Sequence, residues 1–159
     1  MNQLSSGKTN FTIRQIEETD LDKGFFETLS NLAELGEISS DLTRAKDILR
    51  KLASNPVYKI FVAIKDNKEI IGLLTLLIEQ KFIHNGGKVG HIEDVVTRKG
   101  YEGKGIGSEL VRSALKYAEE NNCYKVILDC SEKNAVFYEK LGFRKHSVEM
   151  RYDFPEKEL

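Results

Sequence analysis

The chain has little of whatever would mark a special environment. Its 159 residues include two cysteines, Cys123 and Cys130, too few for a disulfide framework and without metal-ligand spacing. A reducing, cytoplasmic setting is therefore expected, with both thiols as buried apolar filler in or beside one strand. Lysine and arginine (24) balance aspartate and glutamate (25), a net charge of -1 that gives no reason to expect nucleic acid or an anionic membrane as partner. No apolar run approaches the roughly 20 residues of a membrane span. The longest, residues 70–78, is strand-sized and interrupted by Gly72 and Thr75. The opening MNQLSSGKTN lacks an apolar signal core and reads as a flexible tail over residues 1–10. His91 and His146 stand in no metal constellation and read as structural, so no metal is expected. What is left, residues 11–159, is long enough for one domain with a real core.

Within that length, strand and helix patterns follow one another closely. Phe11, Ile13 and Ile16 mark a first strand. Thr19 and Asp20 can cap a helix whose Leu21, Phe25, Leu29 and Leu32 share one face, ended by Gly36. Ser39, Ser40 and Asp41 start a second helix with Leu42, Ala45, Ile48, Leu49 and Leu52 inward, closed by Asn55-Pro56. Strands are expected over 57–65, 69–80 and 89–97, joined by turns at Asp66-Asn67-Lys68 and Asn85-Gly86-Gly87. A later helix stops near Asn121-Asn122, and 124–130 reads as a buried strand. Ser131 then caps a short helix through Ala135, Phe137, Tyr138 and Leu141 that Gly142 ends, and a last strand covers about 147–154. The order β-α-α-β-β-β-α-β-α-β implies an α/β fold, a mixed central sheet flanked by helices.

Chemistry concentrates in residues 90–107, GHIEDVVTRKGYEGKGIG. Ile92, Val95 and Val96 carry two adjacent acids, Glu93 and Asp94, on a largely buried strand. Gly103, Gly105 and Gly107 then recur at every second position, directly before a helix with Leu110, Val111, Ala114, Leu115 and Ala118 on one face. Glycines there let backbone approach a ligand, and a helix N-terminus offers N–H groups and partial positive charge to a phosphate. A nucleotide P-loop is excluded because Gly105, not Ser or Thr, follows Lys104. The dinucleotide fingerprint fails as well, since Gly107 comes two positions after Gly105 and Ser108 stands third.

The loop EGKGIG resembles the Q/R-x-x-G-x-G/A loop with which GNAT acetyltransferases wrap the pyrophosphate of acetyl-CoA. Glu102 stands where that superfamily has Gln or Arg. A carboxylate would repel the pyrophosphate, so Glu102 is expected to turn to solvent and leave binding to backbone amides. Four further segments, KFIH (81–84), HIEDVV (91–96), CYKVILDC (123–130) and FYEKLGF (137–143), make the chain similar to the glucosamine 6-phosphate N-acetyltransferase family over about residues 11–150. That resemblance implies the GNAT acyl-CoA N-acyltransferase fold, acetyl-CoA as co-substrate, glucosamine 6-phosphate as acceptor on the route to UDP-N-acetylglucosamine, and an intertwined homodimer.

It also implies site residues. Asp129 would orient the sugar amine, and Glu93 and Asp94 would serve the sugar site from opposite faces of the strand, in different roles. The backbone N–H near Val95 would face the thioester carbonyl, with Val96 and Thr97 continuing along the pantetheine arm. Glu102, Gly103, Lys104, Gly105, Ile106 and Gly107 would form the pyrophosphate loop. Tyr138 would be the acid beside the CoA sulfur and Asn134, a helical turn earlier, a CoA contact. Lys81, Phe82, Ile83 and His84 would line the phosphate and sugar end. Two positions depart from fungal and animal members: Ala33 replaces a substrate-contacting Thr, and Asp153 replaces an Arg, for which Arg151 on the same strand face is the substitute. A GNAT enzyme acting on another small amine or a protein N-terminus, a non-catalytic acyl-CoA-binding module and a structural dimerisation domain remain the alternatives.

Overall fold

β1 (Phe11–Gln15), β2 (Tyr58–Lys65), β3 (Glu69–Gln80), β4 (Lys88–Thr97) and β5 (Cys123–Ile127) form one sheet in chain order. The first four pair antiparallel and β5 joins β4 in parallel, which makes the sheet mixed. This computed structural model describes residues 9–155, so the tail expected over 1–10 falls, except for its last two residues, outside the described residues. The chain divides into two units, Met1–Leu128, which holds the sheet, and Asp129–Leu159.

β2 reads as simply apolar because it is buried on both sides: Phe61, Val62, Ala63 and Ile64 are all in the core. Val62 and Ile64 pack with Ile70, Leu73 and Val96, against which Phe25 and Leu29 of α1 (Phe25–Leu29) rest. Phe61, on the other face, meets Tyr117 of a long helix edge to face at 5.7 Å. The β2–β3 hairpin turns as expected, with Asp66 and Asn67 both in the left-handed region (φ 51° and 57°). α2 (Leu42–Ser54) starts where expected, its Asp41 carboxylate accepting from the Arg44 amide at 2.9 Å. Ala45 and Leu49 are its buried residues, whereas Ile48, expected inward, is 41% exposed.

The expected first helix does not form as one piece. Glu18–Asp22 is a 3₁₀ turn and Phe25–Leu29 a short helix, separated by Gly24 at φ 81°. Asp20 caps that turn from its third position, as half of a capping box with Glu17, and is buried there, accepting from the Glu17 amide and from Arg14 and Lys23. The polar pull of that cluster outweighs the helical spacing of the leucines.

The long helix is α4 (Ile106–Glu120), with Leu110, Val111, Ala114 and Ala118 fully buried as its spacing requires, and Leu115 half-buried. It reaches the sheet over two glycines. A Cβ at Gly90 would lie 3.1 Å from Val126 Cγ2, 3.3 Å from Leu76 Cδ1 and 3.5 Å from the Ala118 Cβ, and one at Gly72, tighter still, 2.7 Å from Ile106 Cγ2 and 3.0 Å from Leu110 Cδ1. Both neighbours are fully buried, and Ile106 is stiff at its branched Cβ. Gly72→Ala is therefore expected to cost about 2 kcal/mol by overpacking. A urea unfolding curve checks it, and an unchanged midpoint would refute the packing argument.

β5 ends at Ile127, short of the strand expected to Cys130, and none of its residues is buried, Tyr124 and Ile127 being 37% and 38% exposed. It is the sheet's last strand and, among the described residues, pairs only with β4. Cys123 is half-buried, and burial pushes its thiol up from the usual range. Cys130 is exposed, which overturns its reading as core filler.

In the second unit, α5 (Glu132–Glu139) follows Ser131, whose carbonyl accepts from the Asn134 and Ala135 amides; its hydroxyl makes no cap. Gly142, at φ 94°, and the Phe143 amide bonded to the Tyr138 carbonyl close the helix. The last expected strand is absent: residues 143–155 form no helix or strand. Val148, Met150, Tyr152 and Phe154 alternate as a strand would, yet are 78–88% exposed.

Candidate active site

Three features meet at the C-terminal end of β4. First, β4 and β5 pair only from Lys88↔Cys123 to His91↔Ile127, and among the described residues no pairing continues beyond. β5 therefore runs beside only the first half of β4, and among the described residues the second half, from residue 92 on, pairs with β3 alone.

Second, β4 is bulged in that half. Leu73 pairs with Val96 and Thr75 with Glu93, so Asp94 and Val95 together oppose Leu74. Asp94 takes φ 51°, a left-handed value that Asp tolerates better than most residues. The expectation that Glu93 and Asp94 point to opposite faces rested on a regular pleat, which the bulge removes here. Both side chains are exposed.

Third, the glycine loop leads into α4. Gly100, Gly103 and Gly105 have φ of 89°, 72° and 83°, and nothing lies within 4 Å of a Cβ built on any of them. That is open backbone held in a conformation only glycine adopts without strain. The first bond of the helix runs from the Glu109 amide to the Gly105 carbonyl at 3.1 Å. The Ile106, Gly107 and Ser108 amides therefore have no intrahelical acceptor, and the fully buried Ile106 anchors the turn that carries them. Lys104 Nζ stands over the Tyr101 ring, 5.1 Å from its centroid.

Glu102 is exposed but not loose. Its carboxylate accepts from the Gly100 amide at 2.7 Å and from Asn31 Nδ2 at 3.2 Å, and the same Asn31 group donates to the Thr97 carbonyl at 2.8 Å. Its own amide and that of Gly100 hold the carboxyl below the usual range, with Asn31 and Lys99 adding to the effect. The side chain is folded back onto its loop, where the sequence had it turned to solvent.

Residues 81–84 form the turn between β3 and β4. Within α3 (Ile83–Gly86), His84 and Asn85 take left-handed values, so this is a tight turn more than a helix. Phe82 and Ile83 are exposed, and the His84 ring lies on Tyr124, centroids 4.1 Å apart. Lys81 Nζ is 2.5 Å from Glu79 Oε1, while Glu79 Oε2 is 2.8 Å from His91 Nε2. Lys81 first, then His91, hold the Glu79 carboxyl below its usual range. Lys81 thus carries a built-in counter-ion.

Asp129, Asn134, Tyr138 and Arg151 belong to the second unit. Asp129 lies two residues past the end of β5, exposed, as is Asn134. The Tyr138 ring packs edge-on between Phe137 and Phe143, centroids at 4.9 and 5.8 Å. Burial, then Cys130 and Asp129, raise its hydroxyl above the ordinary tyrosine range, so it stays protonated at neutral pH. Arg151 Nε donates to Asp153 Oδ1 at 2.7 Å, both side chains exposed.

The acetyltransferase (GNAT) family profile matches residues 25–143. Glucosamine 6-phosphate N-acetyltransferase of Candida albicans is 43% identical over 141 residues, covering 88% of this chain and 93% of that protein. Its counterpart from Trypanosoma brucei brucei is 41% identical over 142 residues, covering 89% and 94%. The crystal structure of glucosamine-6-phosphate N-acetyltransferase from Arabidopsis thaliana superposes with a TM-score of 0.82 at 36% identity, covering 92% of this chain and 99% of that one. The chain belongs to the GNAT acetyltransferases, in the glucosamine 6-phosphate N-acetyltransferase family.

For this GNAT enzyme, the sequence reading missed two partners. Asn31, which ties the end of α1 to the glycine loop, has no sequence signal: its bonds span 66 and 71 residues. Glu79 could have been found, since residues two apart on an extended chain share a face and Glu79 precedes Lys81 by two. No helix among the described residues is long and apolar enough to cross a membrane.

Proposed function

We propose that the protein transfers the acetyl group of acetyl-CoA to the amine of D-glucosamine 6-phosphate, giving N-acetyl-D-glucosamine 6-phosphate and CoA by direct attack in a ternary complex. The observation that carries this reading is the edge of β4 left unpaired with β5 after His91, beside the glycine-capped start of α4. An unpaired strand edge gives an extended acyl-pantetheine arm backbone to lie along, and the helix start beside it gives a pyrophosphate its donors. The acceptor comes from the relatives, which carry the sugar phosphate in their names.

The chemistry needs a positioned neutral amine, donors for the developing oxyanion and a proton for the leaving thiolate. We assign the oxyanion donor to the Val95 amide, because the bulge takes backbone at 94–95 out of its regular ladder. Val96 and Thr97 continue that strand along the arm, and residues 102–107 form the pyrophosphate loop. Glu93 and Asp94, next to the donor, serve the sugar. Asp129 orients the amine, Tyr138 protonates the CoA sulfur and Asn134 contacts CoA, three roles carried over from the family residue by residue. Lys81, Phe82, Ile83 and His84, with Arg151, serve the phosphate end.

We further take residues 11–159 as one enzyme domain working as a cytoplasmic homodimer. Exposed alternating Val148, Met150, Tyr152 and Phe154 support the dimer, since that pattern is a strand's and no pairing for it is found among the described residues. A GNAT enzyme for a different small amine is the second reading. It is favoured by one observation: Lys81 and Arg151 are each already paired with a carboxylate, Glu79 and Asp153.

Release of CoA thiol from acetyl-CoA with glucosamine 6-phosphate, unphosphorylated glucosamine and a panel of other amines decides between the two. Turnover that requires the phosphate is expected. Equal turnover of both sugars, or turnover of another amine alone, would transfer the assignment to the second reading.

A further inference from the structure

We infer that Glu102 and Asn31 act as a positioning clamp that presets the glycine loop for the pyrophosphate of acetyl-CoA; the inference rests on the function proposed above. The charge of Glu102 alone argues the other way, because an acid in a pyrophosphate loop repels its ligand. Geometry decides against that reading. One carboxylate oxygen takes the Gly100 amide at 2.7 Å, and the other takes Asn31 Nδ2 at 3.2 Å. The carboxylate is thereby tied to the start of the loop, at Gly100, and its two oxygens are engaged there rather than with the amides of Ile106 and Gly107 that would meet a phosphate.

Asn31 fixes the other side. Its amide group also donates to the Thr97 carbonyl at 2.8 Å, so a single side chain joins the last residue of β4 to the loop. Its own place is set by the Leu32 and Asn31 amides bonding back to Leu29 and Thr28 carbonyls, which close α1. Thr28 is fully buried, and its hydroxyl donates to the Ile70 carbonyl at 2.7 Å. The clamp is thus referred through α1 to the core strand β3. The loop has need of it. Gly100, Gly103 and Gly105 have no contact a side chain would make, and a run of glycines loses the most freedom when ordered. A loop ordered before binding spares the ligand that cost.

Glutamate suits this position for a stated reason. The Gly100 amide and Asn31 Nδ2 are both donors, and a carboxylate has two acceptor oxygens for them. A glutamine would present one acceptor and one donor, and the Asn31 amide cannot simply turn over to suit it without losing its bond to Thr97.

The test is direct binding of acetyl-CoA by calorimetry to the wild-type enzyme and to Glu102→Ala, Asn31→Ala and the double variant, beside KM for both substrates. Each single variant is expected to weaken acetyl-CoA about tenfold, the loss of one charge-assisted hydrogen bond, with KM for the sugar phosphate moving less. The double variant should be no weaker than either single one, because both remove the same clamp. Glu102→Gln should recover only part of the affinity. Both side chains are exposed, and thermal unfolding of each variant separates a loose loop from a damaged fold. Tighter or unchanged binding by Glu102→Ala, or losses that simply add, would overturn the clamp. Failure of the wild-type enzyme to bind acetyl-CoA would instead overturn the proposed function.

Discussion

Tyr138→Phe is expected to lower kcat about a hundredfold, the low end of what a positioned general acid contributes, while leaving KM for both substrates close to wild type. The substitution isolates one atom. The ring stays between Phe137 and Phe143, whose edge-on contacts need only its aromatic body. What disappears is a hydroxyl that burial, then Cys130 and Asp129, hold in its protonated form above the ordinary tyrosine range. That direction is the one an acid needs. A hydroxyl lowered toward neutrality would be partly ionised at working pH and unable to give its proton to the departing thiolate. The pH profile carries the decision. The alkaline fall of wild-type kcat should follow this raised hydroxyl as it ionises, and the Phe variant should lack that descending limb while keeping the acid limb set by protonation of the acceptor amine. If Phe lowered kcat yet kept the limb, Tyr138 would be a packing residue and another group the acid.

The fold was legible wherever one local signal decided an element. The hairpin at Asp66-Asn67, the capped start of α2, β3 over its whole length and the buried face of α4 all follow from turn chemistry or periodicity within a few residues. Long-range bonds overrode the pattern in the first helix. Leucines at helical spacing lost to Asp20, which gathers Arg14, Lys23 and the Glu17 amide, and to Gly24 in its left-handed conformation. The final strand failed for a related reason. Its alternation is genuine, but a strand also needs a neighbour, and pairing is not written in the segment itself.

The candidate site divides in the same way. Glycines at 103, 105 and 107 point to open backbone before a helix, which is what the structure has at Gly103 and Gly105, and this is the part of the proposed phosphate cradle legible in sequence. The bulge at Asp94 was hidden, since a sequence read as strand assumes a regular pleat and a bulge shows only in the register of two strands. Charges misled most. Lys81, Arg151 and Glu102 each looked available in sequence, and each is held by a partner. For Glu102, that partner changes the sign of its expected effect on the ligand.

Asp20→Ala is expected to cost about 3 kcal/mol, as removal of one partner from a buried ion pair does when the stranded cations can still turn to water. The Asp20 side chain is fully buried. Its carboxylate receives Arg14 Nη1 at 2.6 Å and Nη2 at 2.9 Å, the Glu17 amide at 2.8 Å and Lys23 Nζ at 3.1 Å. Arg14 and Lys23 keep about a third of their surface exposed, which is why the low end of the range applies. Burial alone would favour the neutral acid, but Arg14, then the Glu17 amide and Lys23, outweigh it and hold the carboxyl at about 2. A depressed folded value stabilises the protein above the unfolded value of about 4 and loses that contribution as pH falls toward 2. Wild type should therefore lose about 2 kcal/mol more than Asp20→Ala between pH 5 and pH 2, from a drop of nearly two units at about 1.4 kcal/mol each. Denaturant unfolding of both proteins across that range reads the difference directly, and the subtraction removes Glu79, Glu102 and Glu132, whose carboxyls are also lowered. Parallel curves would mean that Arg14 and Lys23 contribute nothing through charge. The effect should reach the site as well. The Lys23 carbonyl takes the Ile70 amide at 2.7 Å, and Ile70 in turn takes the Thr28 hydroxyl of α1, three residues before Asn31. Loosening the turn at Asp20 loosens the base on which Asn31 rests, so acetyl-CoA affinity should fall in this variant even at pH 7, where its fold persists.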